Sequence, residues 1–261
     1  MTWIEALILG LIQGLTEFLP VSSSGHLELG KHLLGVAPGK SLAFTVVVHG
    51  ATVLSTIIVF RKDLAVLFRG LTEFRWNESW KFAALILLSM IPVLVVGLFF
   101  ADYVESFFDG NIRFVGFMLL ITAMLLTFTY LKKSNDRPVG FADSFIIGLA
   151  QAVAVLPGIS RSGATISTGL MLGNKRELVA KFSFLMVLIP ILGANLLDLL
   201  KGETTETGGV PALSMIIGFV AAFVSGLFAC KWMISLVQKG RLIYFAIYCF
   251  IVGAVAIVLS F

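Results

Sequence analysis

Residues 18–26 read FLPVSSSGH, and residues 156–163 read LPGISRSG. Each stretch places proline, glycine and small hydroxyl residues in the middle of an apolar segment, the first covering 2–35 and the second 141–173. Each half is shorter than the roughly 20 residues that a helix needs to cross a bilayer. Irregular backbone at membrane depth is tolerated only where protein or a water-filled cavity surrounds it. We therefore predict two re-entrant helical hairpins, each a broken pair of half-helices that enters and leaves on one side of a membrane.

The rest of the chain is typical of an all-α integral membrane protein. Of its 261 residues, 58% are hydrophobic and 13% are charged, and a soluble domain carries about 25% charged residues. The first apolar stretch lacks a basic leader, so no cleavable signal peptide is expected. The basic residues flank apolar segments and form no stripe, which argues against nucleic acid as a partner. Hydropathy predicts six transmembrane helices at about 41–60, 80–100, 112–131, 179–198, 211–231 and 243–260.

The two interrupted segments match one another. A shift of 138 residues without a gap aligns Gln13 with Gln151, Ser22 with Ser160, Ser24 with Ser162 and Gly25 with Gly163. Apolar segments share Leu and Gly by chance, but the shared Gln and Ser-x-Ser-Gly favour a real duplication. The single membrane domain 1–261 then holds repeat 1 (about 1–131) and repeat 2 (about 139–261), each with one hairpin and three spanning helices. Because three is odd, the second copy is inserted upside down, as an inverted repeat.

The charges support this topology independently. When the loop 61–81 is assigned to the cytoplasm, alternation of the spans places 14 of the 19 Lys and Arg residues on that side, as the positive-inside rule requires. They are Arg61, Lys62, Arg69, Arg75, Lys81, Lys132, Lys133, Arg137, Lys175, Arg176, Lys181, Lys231, Lys239 and Arg241. The first hairpin then enters from outside and the second from inside. Their tips are predicted to meet near the midplane, where inverted repeats with broken helices place binding sites.

Ionisable groups at membrane depth are costly and mark functional sites. Gln13 and Glu17 are four residues apart, so they share one face of the first half-helix. Glu17 could hold a divalent cation or take a proton; the alternative is a buried acid that caps a turn. His26 directly follows the serine tip and could protonate a leaving group, activate a nucleophile or attack phosphorus. A histidine satisfied within the core is its alternative.

Hydroxyls and free N–H groups at a helix start form an anion site. The first tip supplies Ser22, Ser23, Ser24 and Gly25, and the second supplies Ser160, Arg161, Ser162, Gly163 and Thr165. The guanidinium of Arg161 can donate bidentate hydrogen bonds to phosphate oxygens. An ordinary serine cap, and a structural ion pair between Arg161 and Glu17, are the alternatives. Together the groups suit phosphoryl chemistry on a head group that carries a long apolar tail, with serine, histidine or water as the nucleophile.

Residues 13–26, QGLTEFLPVSSSGH, and 157–165, PGISRSGAT, carry a family resemblance over essentially the whole chain. The chain resembles the undecaprenyl-diphosphate phosphatases, also known as bacitracin-resistance proteins. The resemblance implies dephosphorylation of undecaprenyl diphosphate to undecaprenyl phosphate with release of phosphate. That reaction recycles the lipid carrier for peptidoglycan synthesis and confers bacitracin resistance. It also implies a bacterial cytoplasmic membrane location with a site that faces the periplasm.

The same resemblance assigns roles to residues. The family requires a divalent cation, Mg²⁺ or Ca²⁺, and its acidic metal motif falls here on Gln13 and Glu17, so only one carboxylate remains. Ser23 and His26 become nucleophile or acid/base candidates, and Arg161 binds the diphosphate. The remaining residues of the two tips become substrate-binding candidates: Ser22, Ser24, Gly25, Ser160, Ser162, Gly163 and Thr165.

Two other functions compete with the phosphatase. A lipid-phosphate flippase or transporter would use the same inverted repeat and anion site, but it needs no nucleophile beside a base. A structural or partner-binding membrane protein would need no polar cluster at the tips. The sequence leaves three questions open: whether the enzyme also flips lipid, whether it forms a homodimer, and which polyprenyl chain length it uses. Membrane lipids are the other expected partners.

Overall fold

The computed structural model describes residues 1–36, 42–108, 111–131, 137–193 and 210–260, and these are helical almost throughout. The helices are α1 Trp3–Phe18, α2 Ser23–Leu33, α3 Leu42–Val59, α4 Arg61–Leu71, α5 Glu78–Phe99, α6 Ala101–Glu105, α7 Ile112–Leu131, α8 Phe141–Val153, α9 Arg161–Met171, α10 Arg176–Met186, α11 Ala212–Gln238 and α12 Ile243–Leu259. A short 3-10 turn, Ser106–Phe108, follows α6, and residues 188–193 are also helical. Within these ranges no strand occurs, and one isolated bridge joins Arg137 to Asn174.

Several of these helices are suited to a bilayer. Helices α5, α7 and α11 are long and apolar enough to cross it, and the pair α3–α4, bent by 74°, is a fourth candidate. Large apolar side chains such as Leu87, Phe128 and Phe228 are exposed on α5, α7 and α11. Large exposed apolar side chains on long apolar helices are typical of a surface that contacts lipid. The chain is therefore a multi-pass helical membrane protein.

The predicted spans coincide with helices, with two differences. The span predicted at about 243–260 is α12, whose 17 residues make it shorter than a standard transmembrane helix. The span predicted at about 179–198 begins within α10 and continues through the helical residues 188–193, and its last five positions, 194–198, lie outside the described residues. Helix α4 lies within the loop assigned to the cytoplasm, and most of its charged side chains are exposed.

Both interrupted segments are broken where the sequence predicted. Helix α1 ends at Phe18 and α2 begins at Ser23, and between them Pro20 brings no backbone N–H that could continue the helix. Helix α8 ends at Val153 and α9 begins at Arg161. Serine hydroxyls cap both new helices: Ser22 accepts from the N–H of Gly25 at 3.2 Å, and Ser160 from that of Gly163 at 3.0 Å.

Helices of the first half pack mainly against helices of the second half. Helix α1 of the first half packs on α11 of the second, α8 of the second packs on α5 of the first, and α7 packs on α12. Glycines permit the first two crossings, because a Cβ on Gly10 would lie 2.5 Å from the carbonyl oxygen of Gly218 and one on Gly148 would meet the backbone of Ser89. Gly10 and Gly148 are equivalent in the 138-residue register.

Replacing Gly10 with alanine is expected to lower the stability of the protein in detergent by about 1–3 kcal/mol, because the added methyl group overlaps backbone that cannot rotate away. Thermal unfolding followed by fluorescence-detected size exclusion would measure it. The matched control is Gly97→Ala in α5, where an added Cβ meets nothing within 4 Å. Since alanine favours a helix over glycine, the control should be neutral or stabilising. Equal melting temperatures for Gly10→Ala and wild type would contradict the close crossing.

Candidate active site

The two helix breaks touch one another in the interior of the protein. The N–H of Gly158 donates to Ser22 Oγ at 3.2 Å, and Ser162 Oγ donates to the carbonyl oxygen of Leu19 at 3.2 Å. A Cβ on Gly25 would lie 3.0 Å from the Cα of Gly158. The contact brings together two tips whose polar residues are more than 130 positions apart in the chain.

Glu17 is the centre of this contact. Its Oε1 accepts from Arg161 Nη2 at 2.7 Å, and its Oε2 accepts from Ser23 Oγ at 2.6 Å and from Gln13 Nε2 at 2.9 Å. The Nε2 atom of His49, in α3, lies 3.9 Å from the same Oε2. The Glu17 side chain is 7% exposed. These donors offset the free-energy cost of burying the carboxylate charge. One of them, the Ser23 hydroxyl, could pass its proton to Glu17.

The ion pair between Glu17 and Arg161, one of the two alternatives for Arg161, is present. It does not use up the guanidinium, which has five N–H donors and is still 28% exposed. Among the described residues Arg161 donates only to Glu17. The remaining N–H groups are therefore available to an anionic ligand, so the pairing and the phosphate-binding role are compatible.

The serine tips of the two copies share their side-chain contacts but differ in backbone conformation at the cap, where φ is +69° at Ser22 and −75° at Ser160. Ser22 Oγ lies 3.3 Å from Ser24 Oγ, and Ser160 Oγ lies 3.3 Å from Ser162 Oγ. Ser22 has a φ of +69°, an uncommon conformation for a residue with a side chain. The strained residue is held by hydrogen bonds that its Oγ accepts from the N–H groups of Gly25 and Gly158. Such over-determined strain is common at functional sites.

His26 lies beside these groups but points elsewhere. Its Nδ1 is 2.8 Å from the carbonyl oxygen of Ser22, and its Nε2 is 2.9 Å from the hydroxyl of Tyr248 in α12. Since a carbonyl only accepts, Nδ1 carries a proton, and in the neutral imidazole Nε2 then accepts from the Tyr248 hydroxyl. The two rings also stack, with centroids 5.5 Å apart. Within the described part of the chain no hydrogen bond joins His26 to Glu17, Ser23 or Arg161, so Glu17 is the group placed to take a proton from Ser23.

A narrow cavity that is partly open to the outside extends from this contact. Of the predicted site residues, Glu17, Arg161, Ser162 and Thr165 line it. Thr165 Oγ1 donates to the carbonyl oxygen of Arg161 at 2.9 Å. The wall is completed by polar and apolar residues of α1, α3, α8 and the 183–191 region: Phe18, Thr52, Val53, Thr56, Gln151, Ser183, Phe184, Val187, Leu188 and Ile191. Ser22, Ser23, Ser24, Gly25, His26, Ser160 and Gly163 lie at the tips and are not part of that wall.

Sequence reasoning missed three residues at the tips. Thr122 of α7 holds the second tip, because its Oγ1 donates to the carbonyl oxygen of Gly158 at 3.1 Å and accepts from the N–H of Ser160 at 3.0 Å. Tyr248 holds His26, and His49, given no role from the sequence, is the next neighbour of Glu17. A hydroxyl or imidazole within an apolar helix has no periodic signature, so only the three-dimensional packing identifies these residues.

The residues around Glu17 fit a cation that is shared with phosphate. The described residues contain no group of three or more His, Cys, Asp or Glu side chains that could bind a metal by themselves. However, Gln13 Oε1 is buried and has no hydrogen-bond partner, and it belongs to the residue that donates to Glu17. Mg²⁺ and Ca²⁺ prefer oxygen ligands, and Mg²⁺ is commonly held by one or two carboxylates together with substrate phosphates. The amide oxygen of Gln13 and the carboxylate of Glu17 suit such a partial site.

Comparison with known proteins identifies the family. The family model described as bacitracin resistance protein BacA matches residues 6–255. An undecaprenyl-diphosphatase of Bacteroides fragilis is 57% identical over 264 residues, covering 100% of this chain and 99% of that protein. One from Bacteroides thetaiotaomicron is 55% identical over 262 residues, with 99% of each chain covered. One from Korarchaeum cryptofilum is 41% identical over 258 residues, covering 95% of this chain and 96% of the relative. The resemblance carried by the two tips is thus confirmed, and the chain belongs to the bacitracin resistance protein BacA family.

Proposed function

We propose that this protein hydrolyses undecaprenyl diphosphate to undecaprenyl phosphate and orthophosphate, which returns the lipid carrier to cell-wall synthesis and confers resistance to bacitracin. The observation that carries the proposal is the trio at the contact of the two tips. A buried carboxylate, Glu17, accepts both from a hydroxyl, Ser23, and from a guanidinium, Arg161. The names of the full-length relatives support the same substrate.

The geometry supports the following division of labour. Arg161 binds oxygens of the diphosphate and stabilises charge as the terminal phosphoryl group is transferred. Glu17 accepts the proton of the attacking oxygen. Attack by Ser23 Oγ forms a bond from Oγ to the terminal phosphorus and breaks the bond from that phosphorus to the bridging oxygen, so undecaprenyl phosphate leaves. Water then cleaves the Oγ–phosphorus bond and releases orthophosphate. Attack by a water at the same place yields orthophosphate in one step. The serines of both tips, with Gly25, Gly163 and Thr165, are the remaining proposed phosphate ligands. The donors of Gly25, Gly163, Ser162 and Thr165 are engaged in bonds within the tips and would exchange them for bonds to phosphate.

A divalent cation, Mg²⁺ or Ca²⁺, completes the proposal. Gln13 and Glu17 would hold it, and when bound it would neutralise phosphate charge. His26 positions the first tip, since Nδ1 donates to the carbonyl oxygen of Ser22 next to Ser23. An acid/base role for His26 requires that its hydrogen bond to Tyr248 open first.

We also propose the inverted-repeat topology in full, with six transmembrane helices and two re-entrant hairpins in repeats of about 1–131 and 139–261. The packing of α1 on α11 and α8 on α5 supports it, because a twofold relation between the halves would pair those helices in that way. The distribution of lysine and arginine supports an orientation in which the first hairpin enters from the non-cytoplasmic side. Membership of the family supports the bacterial cytoplasmic membrane, where that side is the periplasm.

Phosphate release from a C55 or C15 isoprenoid diphosphate, measured on purified protein in detergent, tests the function. Wild type is expected to release phosphate. EDTA should stop this release, and added Mg²⁺ or Ca²⁺ should restore it. His26→Ala is expected to release far less, because the Ser22 carbonyl oxygen loses the imidazole donor and keeps only the backbone N–H of residue 26, and the link from the tip to Tyr248 is lost. Absence of release from folded wild type that still binds the lipid would overturn the phosphatase and favour a lipid-phosphate flippase.

A further inference from the structure

Gln151 is a buried amide that the reaction described above does not use. It lies near the end of α8, is 1% exposed, and lines the same cavity as Glu17 and Arg161. Neither its Oε1 nor its Nε2 has a hydrogen-bond partner. Buried amide groups are nearly always paired, so an amide with both ends free on a cavity wall indicates a ligand that is absent.

The duplication explains why this amide is free. In the first copy Gln13 Nε2 donates to Glu17, four residues further along the same half-helix. In the 138-residue register Gln151 corresponds to Gln13, and the residue four positions after Gln151 is Val155. A valine side chain can neither accept nor donate a hydrogen bond, so the second amide has no partner on its own helix.

Ser183 of α10 adds a second free polar group to the same cavity wall. It is 4% exposed, it lines the cavity, and its Oγ has no partner. Two other buried helical serines donate to the carbonyl four residues earlier: Ser55 to Ala51 at 3.0 Å and Ser225 to Ala221 at 2.6 Å. Ser183 leaves that local bond unmade, and its hydroxyl is available to the cavity.

We propose that Gln151 and Ser183 form a subsite for phosphate oxygens beside Arg161. The amide N–H₂ and the hydroxyl donate to unprotonated phosphate oxygens, and the amide oxygen of Gln151 accepts from a P–OH group, which orthophosphate carries at neutral pH. The guanidinium of Arg161 on the same wall supplies the positive charge. The inference rests on the proposed function and deepens it, because the subsite would take the terminal phosphoryl group and the orthophosphate formed from it.

Binding of inorganic phosphate to the purified protein, measured by calorimetry and as product inhibition, tests the subsite. Gln151→Leu keeps the size of the side chain and removes both polar ends, and Ser183→Ala removes the hydroxyl. Each is expected to weaken inorganic phosphate binding by about 10-fold or more, the loss typical of a charge-assisted hydrogen bond. The matched control is Ser167→Ala, since Ser167 Oγ is also buried and unpaired but does not line the cavity. The control should bind inorganic phosphate within twofold of wild type.

A parallel titration with a C15 isoprenoid diphosphate separates the two sources of phosphate. Weakened binding of both probes assigns the subsite to the terminal phosphoryl group and to the product, and weakened binding of the lipid alone assigns it to the attached diphosphate. Either Gln151→Leu or Ser183→Ala, if folded and unchanged towards both probes, would overturn the inference, as would wild type that binds neither probe. Binding of inorganic phosphate that depends on Gln151, in a protein that hydrolyses no lipid, would support the subsite and reject the phosphatase. Hydrolysis of the lipid by wild type, with unchanged binding of both probes in both variants, would support the phosphatase and reject the subsite.

Discussion

Arg161→Ala is expected to lower kcat/KM for an isoprenoid diphosphate by about 10²-fold or more, which is about 3 kcal/mol of transition-state stabilisation. Within the described residues the guanidinium is the one cationic side chain that donates a hydrogen bond to Glu17, and it lines the cavity. Charge that develops on the transferred phosphoryl group would lose its principal partner. Arg161→Lys should recover little, because an ammonium cannot donate in the bidentate manner. Arg69→Ala, which removes an exposed arginine of α4, is the control and should behave as wild type.

A purely structural ion pair predicts a different pattern for Arg161. Removal of one member of a buried pair destabilises a protein by about 3–5 kcal/mol, and removal of both members often restores stability. Melting temperatures of Arg161→Ala, Glu17→Ala and the double variant therefore need to be measured beside turnover. Restored stability with full turnover in the double variant would reduce the pair to a structural element. Restored stability with turnover still lost is the result that we expect.

Glu17→Gln should also lower turnover by about 10²-fold or more, the range usual for loss of a general base. The amide can still contact Arg161 and Ser23, but it cannot take the proton that Ser23 Oγ donates to Oε2 at 2.6 Å in the wild type. Single-turnover phosphate release at saturating lipid would measure the chemical step. Turnover within threefold of wild type, in a variant with a normal melting temperature, would remove Glu17 from the mechanism.

The control for Glu17 is Glu28→Gln in α2. Glu28 is another buried carboxylate and pairs with Lys31 at 3.1 Å, but it does not line the cavity. A change there removes a comparable buried charge from the same half of the protein. Phosphate release by the control is expected to stay within a few-fold of wild type, so a comparable loss in both variants would mean that general destabilisation explains the effect.

The helix breaks were predictable from the sequence because their cause is local. Pro20 lacks a backbone N–H, and Ser22 and Ser160 cap the helices that follow. The charge pattern also predicted that the two tips approach one another, and the polar residues at the tips could be named before their distances were known. Arg161 and Glu17 are 144 positions apart and form a hydrogen bond. The sequence predicted that both residues lie where the tips meet, but it left open whether Arg161 pairs with Glu17 or binds phosphate.

Other features were decided only by the tertiary structure. The interaction of His26 with Tyr248 spans 222 positions, and Thr122 reaches Ser160 from a different helix. The same applies to the free amide of Gln151, whose match to Gln13 was visible in sequence although its lack of a partner was not. By itself, the sequence determined the membrane-protein class, the two broken segments and the polar residues at their tips, because composition, proline and capping act within a few residues. Which hydroxyl, imidazole or amide finds a partner depends on how separate helices cross, and the packing of side chains across those crossings decided it.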